Sequence, residues 1–168
     1  MDEELGARAR AFESLLRANA LSMLRFADFV LHDRSAAEDA VQEAFMTAWN
    51  RRSTLQDTSA FVPWLRTIVL RECLRWRRRF LRQLIGISDR VAAPVTSDPA
   101  THVDLARAVR QLSPVLRAVV YLHFYEDRPL RQVAAELSIP ESTAKTRLYE
   151  ALRRLRLALP GYLSGEHA

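Results

Sequence analysis

Apolar residues recur at helical spacing along nearly the whole chain of 168 residues. Over 12–31 they fall at Phe12, Leu15, Leu16, Leu21, Leu24, Phe26 and Val30, the pattern of an amphipathic helix. His32, Asp33 and Arg34 break it. Ser35 then reads as an N-cap, with Glu38 three residues on to complete a capping box, and the next helix runs to about Trp49. The stretch 53–59 is polar and reads as a loop or short turn. Phe61 begins a third helix, with Pro63 in its first turn, where a missing N–H is harmless. That helix ends near 80–84. Helical patterns resume at 103–112 and 114–125, the latter behind an apparent Ser113 N-cap. A turn over 126–129 leads into a short helix at 130–137, with Leu130, Val133, Ala134 and Leu137 inward. A long helix follows from Glu141, with Ala144, Leu148, Ala151, Leu152, Leu155 and Leu159 inward. No strand alternation stands out, so the expected fold is all-α.

Between the two halves the composition changes. Gly86, Pro94 and Pro99 lie among Ser88, Thr96, Ser97 and Thr101, which is a linker composition. The expected organisation is two small helical domains, 10–84 and 104–162, joined by a flexible linker at 85–103. A hydrophobic fraction of 49% supports a real core, and only 4 glycines favour helix.

The charges are distributed unevenly. The net charge of +5 points weakly to an acidic partner; position says more. Arg71, Arg75, Arg78 and Arg82 form one stripe at 100° per residue, opposite Leu65, Val69, Cys73, Trp76 and Phe80. From 66 to 82 there are seven arginines and one acid, Glu72. With so little counter-charge for helical pairing, this face suits a polyanion, and Phe61 and Trp64 at its mouth suit unstacked bases. In the second helix the polarity is reversed. Ala40, Val41, Ala44, Phe45, Ala48 and Trp49 can face a core, leaving Asp39, Gln42, Glu43 and Met46 outward. Carboxylates do not belong against phosphate, so that face should meet protein.

Near the C-terminus, Ser138, Ile139 and Pro140 separate two helices. Pro140 disfavours helix at Ile139 and can open the next one. This is a helix-turn-helix pattern, whose second helix enters the DNA major groove N-terminus first. Ser142, Thr143 and Thr146 are small enough for close approach. Lys145 and Arg147 add cationic reach, and Arg153 or Arg154 can hold the backbone further along. Tyr149 is open to either DNA contact or packing.

Other chemistries lack support. Cys73 is the only cysteine, so no intrachain disulfide can form and a reducing cytoplasm fits. His32, His102, His123 and His167 show no metal-ligand spacing. No glycine-rich phosphate loop or nucleophile elbow is present, so no enzyme, cofactor, metal or small-molecule substrate is expected. Asp2, Glu3 and Glu4 open the chain without an apolar segment after them, so no secretory leader is expected.

Glu38-Asp39-Ala40-Val41-Gln42-Glu43-Ala44-Phe45, then Trp49, then Phe61-Val62-Pro63-Trp64-Leu65 and the arginine helix resemble the first domain of extracytoplasmic-function sigma factors of bacterial RNA polymerase. Gln111-Leu112-Ser113-Pro114 and the run from Val133 to Leu148 resemble the second. The resemblance spans 12–159. It implies that Asp39, Gln42, Glu43 and Met46 dock on core RNA polymerase. It implies that Phe61, Trp64, Arg71, Arg75 and Arg78 meet the minus-ten element of promoter DNA. Ser142, Thr143, Lys145, Thr146, Arg147 and Arg153 would meet the minus-thirty-five element. The family also implies an anti-sigma factor as partner. The chain departs from the family at Arg71 and Arg75, near which many members carry asparagine and an acid. Phosphate binding transfers across that change; base preference does not. A stand-alone helix-turn-helix regulator is the rival reading, and it would need no acidic docking helix.

Overall fold

The computed structural model describes residues 2–55, 57–85 and 101–159, with side chains omitted at 2–5, 83–85 and 101–104. Seven α-helices occur among these residues and no strand. They are α1 (Asp2–Leu31), α2 (Arg34–Asn50), α3 (Phe61–Ile85), α4 (Thr101–Gln111), α5 (Pro114–Val120), α6 (Leu130–Glu136) and α7 (Glu141–Ala158). Single 3-10 turns at Arg52–Thr54 and Thr58–Ala60 bridge α2 to α3, and a π-helical turn, Tyr121–Tyr125, extends α5. The expected linker is helical at both ends, where Ile85 closes α3 and 101–103 open α4. Its middle, 86–100, lies outside the described residues.

The first three helices close around a common core because α2 presents mostly small residues inward. Ala36, Ala37, Ala40, Ala44 and Ala48 are buried, which lets α1 and α3 approach closely. Met23, Phe26, Ala27 and Val30 of α1 and Leu65, Val69 and Cys73 of α3 are wholly buried against them. Leu21 does not follow the expected pattern: it is 57% exposed, and Met23 and Ala27 take inward positions instead. Helix α2 also starts differently. Asp33, extended at φ −149° and ψ 110°, is its N-cap and accepts from the Ala36 N–H at 2.9 Å. Ser35 therefore lies inside the helix, and Glu38 bonds Arg34 at 2.8 Å rather than closing a capping box. Both residues are good caps; Asp33 wins because it holds the extended backbone an N-cap requires.

The second half packs on the first. Ala118, Val119, Leu122, Val133, Ala134, Leu137, Ala144 and Leu148 belong to the same buried cluster as the α1–α3 core. Phe29 of α1 meets Tyr121 and Tyr125 at ring-centre distances of 5.2 and 5.0 Å. Ser113 caps α5 as its sequence suggests, with its side chain accepting from the Leu116 N–H. The π turn was not foreseen. It closes through the Glu126 N–H to the Tyr121 carbonyl at 3.2 Å, and the widened turn presents Glu126 to α3.

Candidate nucleic-acid and protein interface

The solvent face of α2 is acidic and partly apolar. Asp39, Gln42, Glu43 and Met46 are all exposed, Met46 at 50%. Beyond Trp76, α3 runs off the core. Trp76 is half-buried and packs against the core as expected, whereas Phe80 is 41% exposed and does not. Their rings stack, 5.2 Å apart and 10° from parallel. With Arg79 they border a depression of about 320 Å³ whose other side is Asp39, Gln42 and Glu43. A second depression, about 460 Å³, is lined by Gln42, Phe45, Met46, Trp49 and Asn50. Carboxylates, a thioether and aromatic rings thus share one surface, a mixture suited to a protein partner.

The arginine stripe survives with two corrections. Arg71, Arg75, Arg78 and Arg82 are exposed, but Arg66 is buried at 1%. Its guanidinium bonds Glu136 through Nη1 and both carboxylate oxygens of Glu126 through Nη2, the latter at 2.9 Å. It faces Phe26 from 5.7 Å. Arg66 is therefore no part of a polyanion face. Its place between Leu65 and Val69, one turn before Leu70, was the available signal, since a charge on an inward stripe needs a buried partner. Glu72, in turn, is buried at 2% and holds Arg75 Nη1 through both oxygens at 2.9 Å. Arg75 carries its own counter-ion.

Phe61 is also corrected. It is 2% exposed, with Phe12 edge-on at 5.5 Å and Trp64 at 6.2 Å, so its ring is core and cannot stack on a base. Trp64 stays half-exposed. It lines a cleft of about 340 Å³ with Arg51, Thr54, Thr67, Ile68, Arg71 and Ser138. An aromatic wall, two guanidiniums and three hydroxyls converge there, a chemistry suited to a base and its phosphate.

In the helix-turn-helix, Ser138 takes φ 52° and turns the chain between α6 and α7. Its N–H reaches the Ala135 carbonyl at 3.2 Å, and that of Ile139 the Ala134 carbonyl at 3.0 Å. Pro140 then occupies the N-cap of α7 without a side-chain cap, so the first N–H groups of α7 lack a capping side chain. Ser142, Lys145, Thr146 and Arg153 are exposed; Thr143 and Arg147 are half-buried. The Thr146 hydroxyl donates to the Ser142 carbonyl at 2.9 Å. Tyr149 is 59% exposed, and Lys145 Nζ lies 5.9 Å from its ring centre. Arg153 is paired through two nitrogens with Glu150, at 2.9 and 3.0 Å, and Arg154 bonds the same carboxylate at 2.6 Å. Those bonds hold the Glu150 carboxyl down to about 2. Any phosphate contact from Arg153 or Arg154 must compete with Glu150.

No cluster of three or more His, Cys, Asp or Glu suited to a metal ion occurs among the described residues. No helix among them is long and apolar enough to cross a membrane.

Residues 15–83 match the family Sigma-70 region 2, and residues 102–155 match Sigma-70, region 4. The chain is 33% identical over 162 residues to the ECF RNA polymerase sigma factor SigL of Mycobacterium tuberculosis, covering 91% of each chain. It is 28% identical to the RNA polymerase sigma factor CarQ of Myxococcus xanthus, covering 87% of each. Among solved structures, the sigma factor RpoE of Bartonella quintana, crystallised with the anti-sigma factor NepR, shares the fold. Its TM-score is 0.71 at 24% identity, over 91% of this chain and 99% of that one.

Proposed function

We propose, from the premise that this chain belongs to the extracytoplasmic-function sigma factors of RNA polymerase, how its surfaces divide the work of that family. The protein binds core RNA polymerase and directs promoter-specific initiation through a minus-ten and a minus-thirty-five element. RNA synthesis is left to the core enzyme. The units 10–84 and 104–162 carry the two recognition tasks, and the work is done in the cytoplasm.

Core polymerase docks on Asp39, Gln42, Glu43 and Met46 of α2, joined by Trp76 and Phe80 of α3. The observation that carries this reading is the shared depression between the acidic α2 face and the stacked rings of α3. The minus-ten strand follows Arg71 and Arg78, with Arg75 partly spent on Glu72. One unstacked base enters the cleft beside Trp64 and Arg71, while Phe61 supports Trp64 from the core. Stacking on a protein aromatic contributes about 1–3 kcal/mol per base, enough to oppose re-stacking of one nucleotide. The minus-thirty-five duplex receives the N-terminal end of α7, with Ser142, Thr143, Lys145, Thr146 and Arg147 nearest the bases and Arg153 on the backbone. An anti-sigma factor holds the protein inactive until a signal arrives.

A pull-down with purified core polymerase, followed by start-site mapping of the transcripts made, tests the assignment. Retention on core and a small set of shared start sites are expected. A chain that binds DNA yet never binds core would instead be a stand-alone regulator.

A further inference from the structure

The outward face of α7 carries one acid that the functional reading above leaves without a task. Ala144, Leu148 and Ala151 are buried, and at 100° per residue Ser142, Thr146, Glu150 and Arg153 fall opposite them, within about 80° of one another. Glu150 therefore shares the face of the hydroxyls placed nearest the bases, one turn beyond Thr146 and on a longer side chain. It lies ~12 Å along the axis from Ser142, within the roughly two turns over which a groove-bound helix reads bases. A carboxylate facing a polyanion lowers affinity, so its presence there needs a reason in recognition.

That carboxylate is held in place. Arg153 Nε donates to Oε2 at 2.9 Å and Arg153 Nη2 to Oε1 at 3.0 Å, while Arg154 Nε donates to Oε1 at 2.6 Å. An ionised carboxylate offers about four acceptor sites, two on each oxygen. Oε1 has two donors and Oε2 has one, so a single acceptor site stays open, on Oε2. The bonds from Arg153, then Arg154, hold the carboxyl down to about 2, so at neutral pH the group accepts and never donates. The side chain is still 32% accessible, which leaves room for a donor to reach it.

An open acceptor site discriminates between base edges. In the major groove guanine shows only acceptors, and thymine an acceptor and a methyl group. Against either, the carboxylate would lose water and gain no partner. The N6 donor of adenine sits beside its N7 acceptor, which repels a carboxylate. Cytosine shows its N4 donor with no acceptor of its own alongside. We infer that Glu150 is a specificity-determining residue of α7, whose open Oε2 site accepts from the N4 amino group of one cytosine in the minus-thirty-five element. This rests on the functional reading above, because it takes α7 as the helix that enters the major groove.

Selection from a duplex library tests it. The full chain, as wild type, Glu150→Ala and Glu150→Gln, is combined with core polymerase and used to retain duplexes whose minus-thirty-five segment, upstream of a mapped start site, is randomised. The retained DNA is sequenced. Wild type should enrich cytosine at one position of the segment by at least about fivefold over each other base. Glu150→Ala should flatten that position alone, even though total retention rises as Arg153 and Arg154 are freed for phosphate. Glu150→Gln, whose amide both donates and accepts, should turn the same position towards adenine. A wild-type profile without such a cytosine overturns the inference. So does a rise in retention by Glu150→Ala with every position unchanged, which would make Glu150 a counter-charge only, and so does a loss of preference at all positions together. Wild-type protein that retains no duplex with core overturns the functional reading, and this inference with it; a wild-type selection that Glu150→Ala leaves intact overturns the inference alone.

Discussion

Glu72 and Arg75 form an ion pair one helical turn long in which the acid is buried and the arginine exposed: Nη1 meets both carboxylate oxygens at 2.9 Å, and the side chains are 3% and 57% accessible. The second arginine of the stripe is therefore partly neutralised by its own helix. Glu72→Gln should release it. Affinity for a duplex of any sequence should rise, and the slope of log affinity against log salt should steepen by up to about 1. A salt titration of DNA binding checks this, and an unchanged slope would mean that Arg75 does not reach phosphate.

Arg71 has no comparable partner among the described residues and lines the Trp64 cleft. Arg71→Ala should weaken binding of single-stranded minus-ten DNA more than Arg75→Ala does. The difference should be about 1 kcal/mol, the scale separating an unpaired charge-assisted contact from one already shared. Equal losses in fluorescence anisotropy would remove the distinction.

The cap of α2 separates Asp33 from Ser35. Asp33→Ala should cost about 1 kcal/mol of unfolding free energy, while Ser35→Ala should fall within about 0.5 kcal/mol of wild type. Urea denaturation of the two variants decides, and a larger loss at Ser35 would restore the capping box.

His32 links stability to pH. Burial, then Arg117 and Arg110, pushes its imidazole down from 6.5 to about 4. The unfolded chain therefore takes up this proton at higher pH than the folded one. Stability should be unaffected above about 6.5 and should fall as pH drops from there towards about 4. His32 holds φ 53°, a conformation asparagine tolerates, so His32→Asn is the matched control. Its urea midpoint should fall less over the same range; an identical fall would place the pH dependence elsewhere.

Much of the architecture was legible because it is local. The spacing of Ala40, Val41 and Ala44 against Asp39, Gln42, Glu43 and Met46 sorts core from surface without knowledge of any other helix. Ile139-Pro140 marks the helix-turn-helix by steric rules alone. What escaped depends on partners far along the chain. Arg66 reads as one more cation of a basic run until Glu126 and Glu136, 60 and 70 residues away, are brought to it. Phe61 looks like an exposed aromatic at a helix start until Phe12 covers it. Leu21 fits the helical period yet faces solvent, because Met23 and Ala27 take the buried positions. Periodicity reports that a face exists; it does not report what covers it.

In the proposed function, the acidic face of α2 joins this protein to core RNA polymerase and so makes its DNA contacts productive. The direct measurement is the affinity of purified core polymerase for wild type and for Asp39→Arg with Glu43→Arg, with transcription from a mapped promoter in parallel. Both residues are exposed, so the fold should survive the reversal. Core binding and transcription should fall together by at least about a hundredfold, roughly 2.7 kcal/mol, while binding of isolated minus-thirty-five duplex stays unchanged. Undiminished core binding by a folded double variant would contradict it.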